Sequence, residues 1–183
     1  MFIAQELKSK NIVEYLLYLW QIEDLIRAYR LDIDRINEEI ILPYPVAKSE
    51  KKELYVWYEN LIEMMRFEHI QEKGHLQINK NIVLNLEELH DTLMKSADAT
   101  EYIATFYRIL PVISHLRNKS NDSGSSDVEI CFNFQYAYML LKMKKTAISN
   151  DTMQAQKEIA AFLVLLAQKY NSHQKGELKS DKN

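Results

Sequence analysis

A chain of 183 residues with a net charge of −3 and a pI near 6.0 lacks the basic excess that a nucleic-acid footprint requires. Its 47% hydrophobic content excludes a disordered polymer, and 3 glycines and 3 prolines are too few for the turns of a sheet protein. A single cysteine excludes an intramolecular disulfide, so the expectation is an all-α protein in a reducing cytoplasm, an irregular bundle of six to seven helices.

The first residues, Met1 to Glu6, show no basic stretch followed by an apolar one, so no signal peptide is expected. A first helix is predicted over about residues 5–30. At 100° per residue, Val13, Leu16, Leu17 and Trp20 share one face and Ile22, Leu25, Ile26 and Tyr29 the opposite one. A helix apolar on two faces runs through the centre of a bundle or is clamped between partners. Asp32 caps a short second helix that ends before Pro43-Tyr44-Pro45. Ser49 is the expected cap of a third helix, whose stripe is Leu54, Trp57, Tyr58, Leu61 and Met65.

A fourth helix over about 77–95 carries Ile82, Val83, Leu86, Leu89 and Leu93, and Gly74 decides whether it continues the third. Asp98 and Glu101 have capping-box spacing before a fifth helix, which Pro111 should kink. Asn118 to Asp127 reads as a surface loop, and a sixth helix follows over about 128–146 with Cys131 as core packing. Asp151 and Gln154 open a seventh, ending near Tyr170. Its apolar run, Ile159 to Ala167, falls well short of the roughly 20 residues a membrane span needs, so no membrane partner is expected. The result is one domain over residues 1–171 and a disordered polar tail over 172–183.

The candidate site is a polar interruption. If the third helix continues through Gly74, its apolar stripe passes into Glu68, Glu72, His75 and Asn79 before returning to Ile82 and Val83. Burial of such groups is costly unless they are paired or bind something. Asp24 and Arg27 lie on the Val13–Trp20 face of the first helix with Glu23 beside it. Acids from both helices would then share a pocket with Arg27 as counter-ion, or Arg27 would simply pair within its own helix.

Glu72 with His75 and Glu87 with His90 have the Glu-x-x-His spacing of di-iron bundles. Two such pairs are unremarkable in so glutamate-rich a chain, and neither a metal nor any other cofactor is expected. No phosphate loop, nucleophile elbow or paired cysteine motif occurs, and no residue is assigned a catalytic role. The leading expectation is a non-enzymatic helical interaction protein with a protein partner or a homo-oligomer. The alternative is a metal- or small-ligand-binding protein, a hydrolase among the options, using the Glu/His/Asn seam.

The stretches Glu14-Tyr15-Leu16-Leu17-Tyr18-Leu19-Trp20-Gln21, Glu23-Asp24-Leu25-Ile26-Arg27, Trp57-Tyr58 and Glu72-Lys73-Gly74-His75-Leu76-Gln77-Ile78-Asn79 resemble an uncharacterised family of short bacterial helical proteins, a domain of unknown function. The resemblance implies a helical fold and a bacterial setting. It implies no activity, substrate or catalytic residue.

Overall fold

The computed structural model describes residues 1–120 and 124–176, which form eight α-helices and no strand. The first predicted helix is two helices, α1 (Phe2–Lys10) and α2 (Ile12–Ala28), which raises the count above six or seven. Asn11 makes the break, because its Oδ1 accepts from the Val13 backbone N–H at 3.1 Å and so starts a new helix. A short α3 (Ile33–Ile36) opens on Asp32, whose carboxylate accepts from the N–H groups of Asp34 and Arg35, as expected. It runs into a π-helical turn, Asn37–Ile41, before the two prolines.

The helix α4 (Lys48–Phe67) begins before Ser49, with the Glu50 carboxylate accepting from the Ala47 N–H at 2.8 Å. Ser49 therefore lies inside the first turn and not at the cap. A 3-10 turn, Ala97–Ala99, joins α5 (Gln77–Lys95) to α6 (Thr100–Ser120), so Asp98 sits in that turn and not at a helix cap. Pro111 lies within α6, where its ring removes the N–H that would bond to the Tyr107 carbonyl. Ser126 caps α7 (Asp127–Met143) and Ser149 caps α8 (Asn150–Gln174). The α6 helix thus runs into the expected Asn118–Asp127 loop, while α7 stops three residues before the expected end near 146, which lengthens the connection to α8. Residues 121–123 of the expected Asn118–Asp127 loop lie outside the described residues, as does the expected tail from residue 177; residues 172–174 are helical.

The chain divides into two compact units, and the division falls inside α5. The first comprises Met1–Lys10 and Glu14–Ile82. Its core gathers Ile22 and Ile26 of α2, Leu31, Ile36 and Ile41 of the next segment, Leu54, Tyr58, Leu61, Ile62 and Met65 of α4, and Leu76. Each large apolar side chain withdrawn from water in this way contributes about 1.5–3 kcal/mol. The predicted stripe of α4 is thus its buried face, with Trp57 half-buried at the edge.

The second unit comprises Asn11–Val13 and the chain from Val83 onward, with α6, α7 and α8 packed on one another. Tyr102, Phe106 and Phe162 meet around His90 at its centre. Cys131 is fully buried among them, and burial pushes its thiol pKa up, which keeps it unreactive.

Three helices end in the same unusual way. After α2, Arg30 N–H bonds to the Arg27 carbonyl and Leu31 N–H to that of Ile26; after α4, His69 bonds to Arg66 and Ile70 to Met65; after α7, Lys145 bonds to Lys142 and Thr146 to Leu141. This is the Schellman pattern, which normally places glycine at the left-handed residue. Here Arg30, His69 and Lys145 hold φ of 56°, 56° and 52°. A side chain in that conformation costs about 1–2 kcal/mol, so a chain poor in glycine carries strain at its helix ends. Lys145→Gly is expected to raise the stability by up to about 1 kcal/mol, the strain relieved less the added backbone entropy. Ala137→Gly, at an exposed position inside α7, should lower it by about 1 kcal/mol. Thermal unfolding of the two variants checks this, and a lower melting temperature for both would show that Lys145 is unstrained.

Candidate functional site

The connection between α4 and α5 brings the polar residues together. It is not helical: α4 stops at Phe67 with His69 in the left-handed region, and Gly74 holds φ 90°. The question left open at Gly74 is therefore decided at His69, upstream of the glycine, and the continuous helix that the polar seam assumed does not form. A Cβ on Gly74 would meet Ile70 Cγ2 only at 3.6 Å, so backbone conformation and not space calls for glycine here.

The next helix has an apolar residue, Leu76, where a capping side chain would normally stand, since its carbonyl accepts from the Lys80 N–H. Carboxylates from earlier in the chain instead accept from the backbone N–H groups of Leu76 and Gln77 at this start. Glu23 of α2 is 1% exposed; its Oε1 accepts from the Leu76 N–H at 3.0 Å and from Asn79 Nδ2 at 2.6 Å. Its Oε2 lies 2.6 Å from His75 Nδ1, so that nitrogen carries the proton between them. Glu68 Oε2 accepts from the Gln77 N–H at 2.7 Å. Two anions at a helix N-terminus are also favoured by its dipole.

The α2 face that carries Glu23 supplies two further anchors, since positions three and four apart share a face. Trp20 stacks on the His75 ring, with centroids 4.0 Å apart and planes 13° from parallel. Arg27 pairs with Asp24 at 2.8 Å and donates to the carbonyls of Ile70, at 3.3 Å, and Gly74. Of the seven candidate residues, Glu23, His75 and Asn79 meet directly. Glu68 joins them at the start of α5, and Arg27 clamps the same connection with Asp24 beside it. Glu72 does not join: it is exposed.

The expected Glu72–His75 pair required a helical turn that this segment lacks. Trp20 and the carbonyls of Ile70 and Gly74 were not singled out from the sequence; the only signal was the three- and four-residue spacing of Trp20, Glu23 and Arg27. Arg27 Nε and Asn79 Oδ1 are buried without a hydrogen-bond partner among the described residues. The His75 side chain keeps 28% of its surface exposed.

The second Glu-x-x-His spacing splits. Glu87 accepts from the Ser126 hydroxyl at the cap of α7, and His90 is 2.7 Å from the Tyr102 hydroxyl. Among the described residues no three His, Cys, Asp or Glu side chains come close enough to hold a metal ion. Burial lowers the His90 pKa, with Asp91 and Asp127 acting weakly in the other direction. The unfolded chain then binds this proton more readily than the folded one. Stability is fully present above the ordinary histidine value of about 6.5 and falls as pH drops through it. Denaturant midpoints measured across that range should show the fall, and His90→Gln should flatten it.

Removal of the Glu23 acceptor strands three donors. Glu23→Ala is expected to cost at least about 2–3 kcal/mol and Glu72→Ala less than about 0.5 kcal/mol by urea unfolding. Equal effects would mean that the network does not hold α5.

A family model described as a domain of unknown function, DUF4924, matches residues 1–177. No curated protein and no solved structure shows significant similarity to the chain.

Proposed function

Because the chain belongs to the DUF4924 family, which brings no activity with it, we propose from the site itself that this is a non-enzymatic helical interaction protein of the bacterial cytosol. The observation that carries the reading is the burial of Glu23 with both oxygens engaged. It is the one buried carboxylate among the described residues, and both its oxygens are taken by donors of the chain's own fold. A general base needs a lone pair turned toward substrate, and this carboxylate, 1% exposed, turns none to solvent. No helix among the described residues is long and apolar enough to cross a membrane, which is compatible with that setting. The side chains left uncovered include large apolar ones, Phe67 above all at 86% exposed, and such groups are the material of protein contacts.

The alternative, a metal- or small-ligand-binding protein with hydrolytic chemistry, draws on the exposed part of the His75 ring and on the unpartnered Asn79 Oδ1. With Nδ1 engaged by Glu23, Nε2 of a neutral ring is the acceptor. His75→Phe separates the two, since it keeps a ring against Trp20 and removes both nitrogens. Native mass spectrometry and elemental analysis of the two purified proteins are expected to give the same composition apart from the substitution. A stoichiometric metal or small molecule present in the wild type and absent from a folded His75→Phe would overturn the interaction reading.

A further inference from the structure

The outer face of α4 presents an ordered seam that stays exposed among the described residues. Ser49, Glu53, Val56, Asn60, Glu63 and Phe67 are all exposed, and they alternate steps of four and three residues. That is the spacing with which one helix packs along another. Phe67 is a knob at one end of the seam. From its middle toward the other end Met1, Ser49, Lys52, Glu53, Val56, Trp57 and Asn60 line an open cavity of about 530 Å³. Knob and cavity lie on one face of one helix, about three turns apart.

We propose that a second copy of this chain covers the seam, with α4 antiparallel to α4 of the copy about a two-fold axis at Asn60 and each Phe67 seated in the other's cavity. The inference rests on the interaction reading above and names its partner. An axis at Asn60 sets Phe67 opposite Glu53 and Met64 opposite Val56, so the knob meets residues that line the cavity. It brings exposed Arg66 alongside Glu53 of the copy, a pairing of opposite charges, and Asn60 against itself, a polar pair of the kind that fixes register. A parallel pairing would set Glu53 against Glu53 and Glu63 against Glu63, and would bring Phe67 against Phe67 instead of into a cavity. Two helices joined along one face bury less than the roughly 800 Å² per partner of a standard interface, so the dimer is weak.

Sedimentation velocity on the full chain, at concentrations up to the order of 100 µM, decides the matter. The wild type is expected to dimerise and Phe67→Asp to weaken the dimer at least about tenfold, its helical circular dichroism unchanged because Phe67 is exposed. Under mild oxidation Asn60→Cys should lock the dimer much faster than Ser49→Cys, with buried Cys131 taking no part. This second arm stands even if Phe67→Asp fails to fold. A wild type that stays monomeric, a dimer indifferent to Phe67→Asp, or cross-linking as fast at Ser49 as at Asn60 would each overturn the proposal. None of these results touches the non-enzymatic reading, which His75→Phe decides separately.

Discussion

The first unit depends on one buried carboxylate. Ten residues after α4, a new helix begins with leucine at its cap position, and a helix start without acceptors leaves N–H groups that burial would penalise. Glu23 resolves this from across the core, 53 residues earlier in the chain. The charge is affordable in a site 1% exposed because three donors and a helix N-terminus converge on it. With Glu23 in place, Leu76 can turn inward to complete the core beside Met65 and Leu61. The polar network and the apolar core are therefore one construction.

The remaining polar contacts extend the same logic. Trp20 and Arg27 flank Glu23 on α2 and fix, respectively, the ring of His75 and the carbonyls of Ile70 and Gly74. The irregular stretch between α4 and α5 is thereby held at its backbone and at its side chains, as a non-helical segment packed against a core must be. A different solution serves the second unit, where Glu87 holds the capping serine of α7 and His90 meets a tyrosine inside an aromatic cluster. In both units the pairs that sequence spacing suggested are split: His75, Glu87 and His90 find partners elsewhere in the chain, and Glu72 is exposed.

Scarcity of glycine has its own structural consequence. Helices in this chain still need to stop, and Arg30, His69 and Lys145 stop them in a backbone conformation that side chains resist. At α2 and α4 the stop has a use. Arg66, the last residue but one of α4, donates to the Leu31 carbonyl at 3.1 Å, which ties the two strained ends together. Leu31 itself, with φ 58°, is buried in the core, so apolar burial helps to hold it there.

Local chemistry in the sequence determined the helical class, the Asp32 cap, the inward stripe of α4 and the burial of Cys131, because each follows from residues a few positions apart. The candidate residues were legible as types: Glu23, His75, Asn79 and Arg27 stood out as polar groups on apolar faces. Their pairing was decided by tertiary structure alone. Glu72 is nearest to His75 in sequence, and only the non-helical path after His69 separates them and gives His75 to Glu23. Helix ends were the least readable feature for the same reason. A Schellman stop at His69 carries no glycine to announce it, and the acceptor supplied by Glu23 leaves no mark at Leu76, since that contact exists only once α2 and the start of α5 are packed.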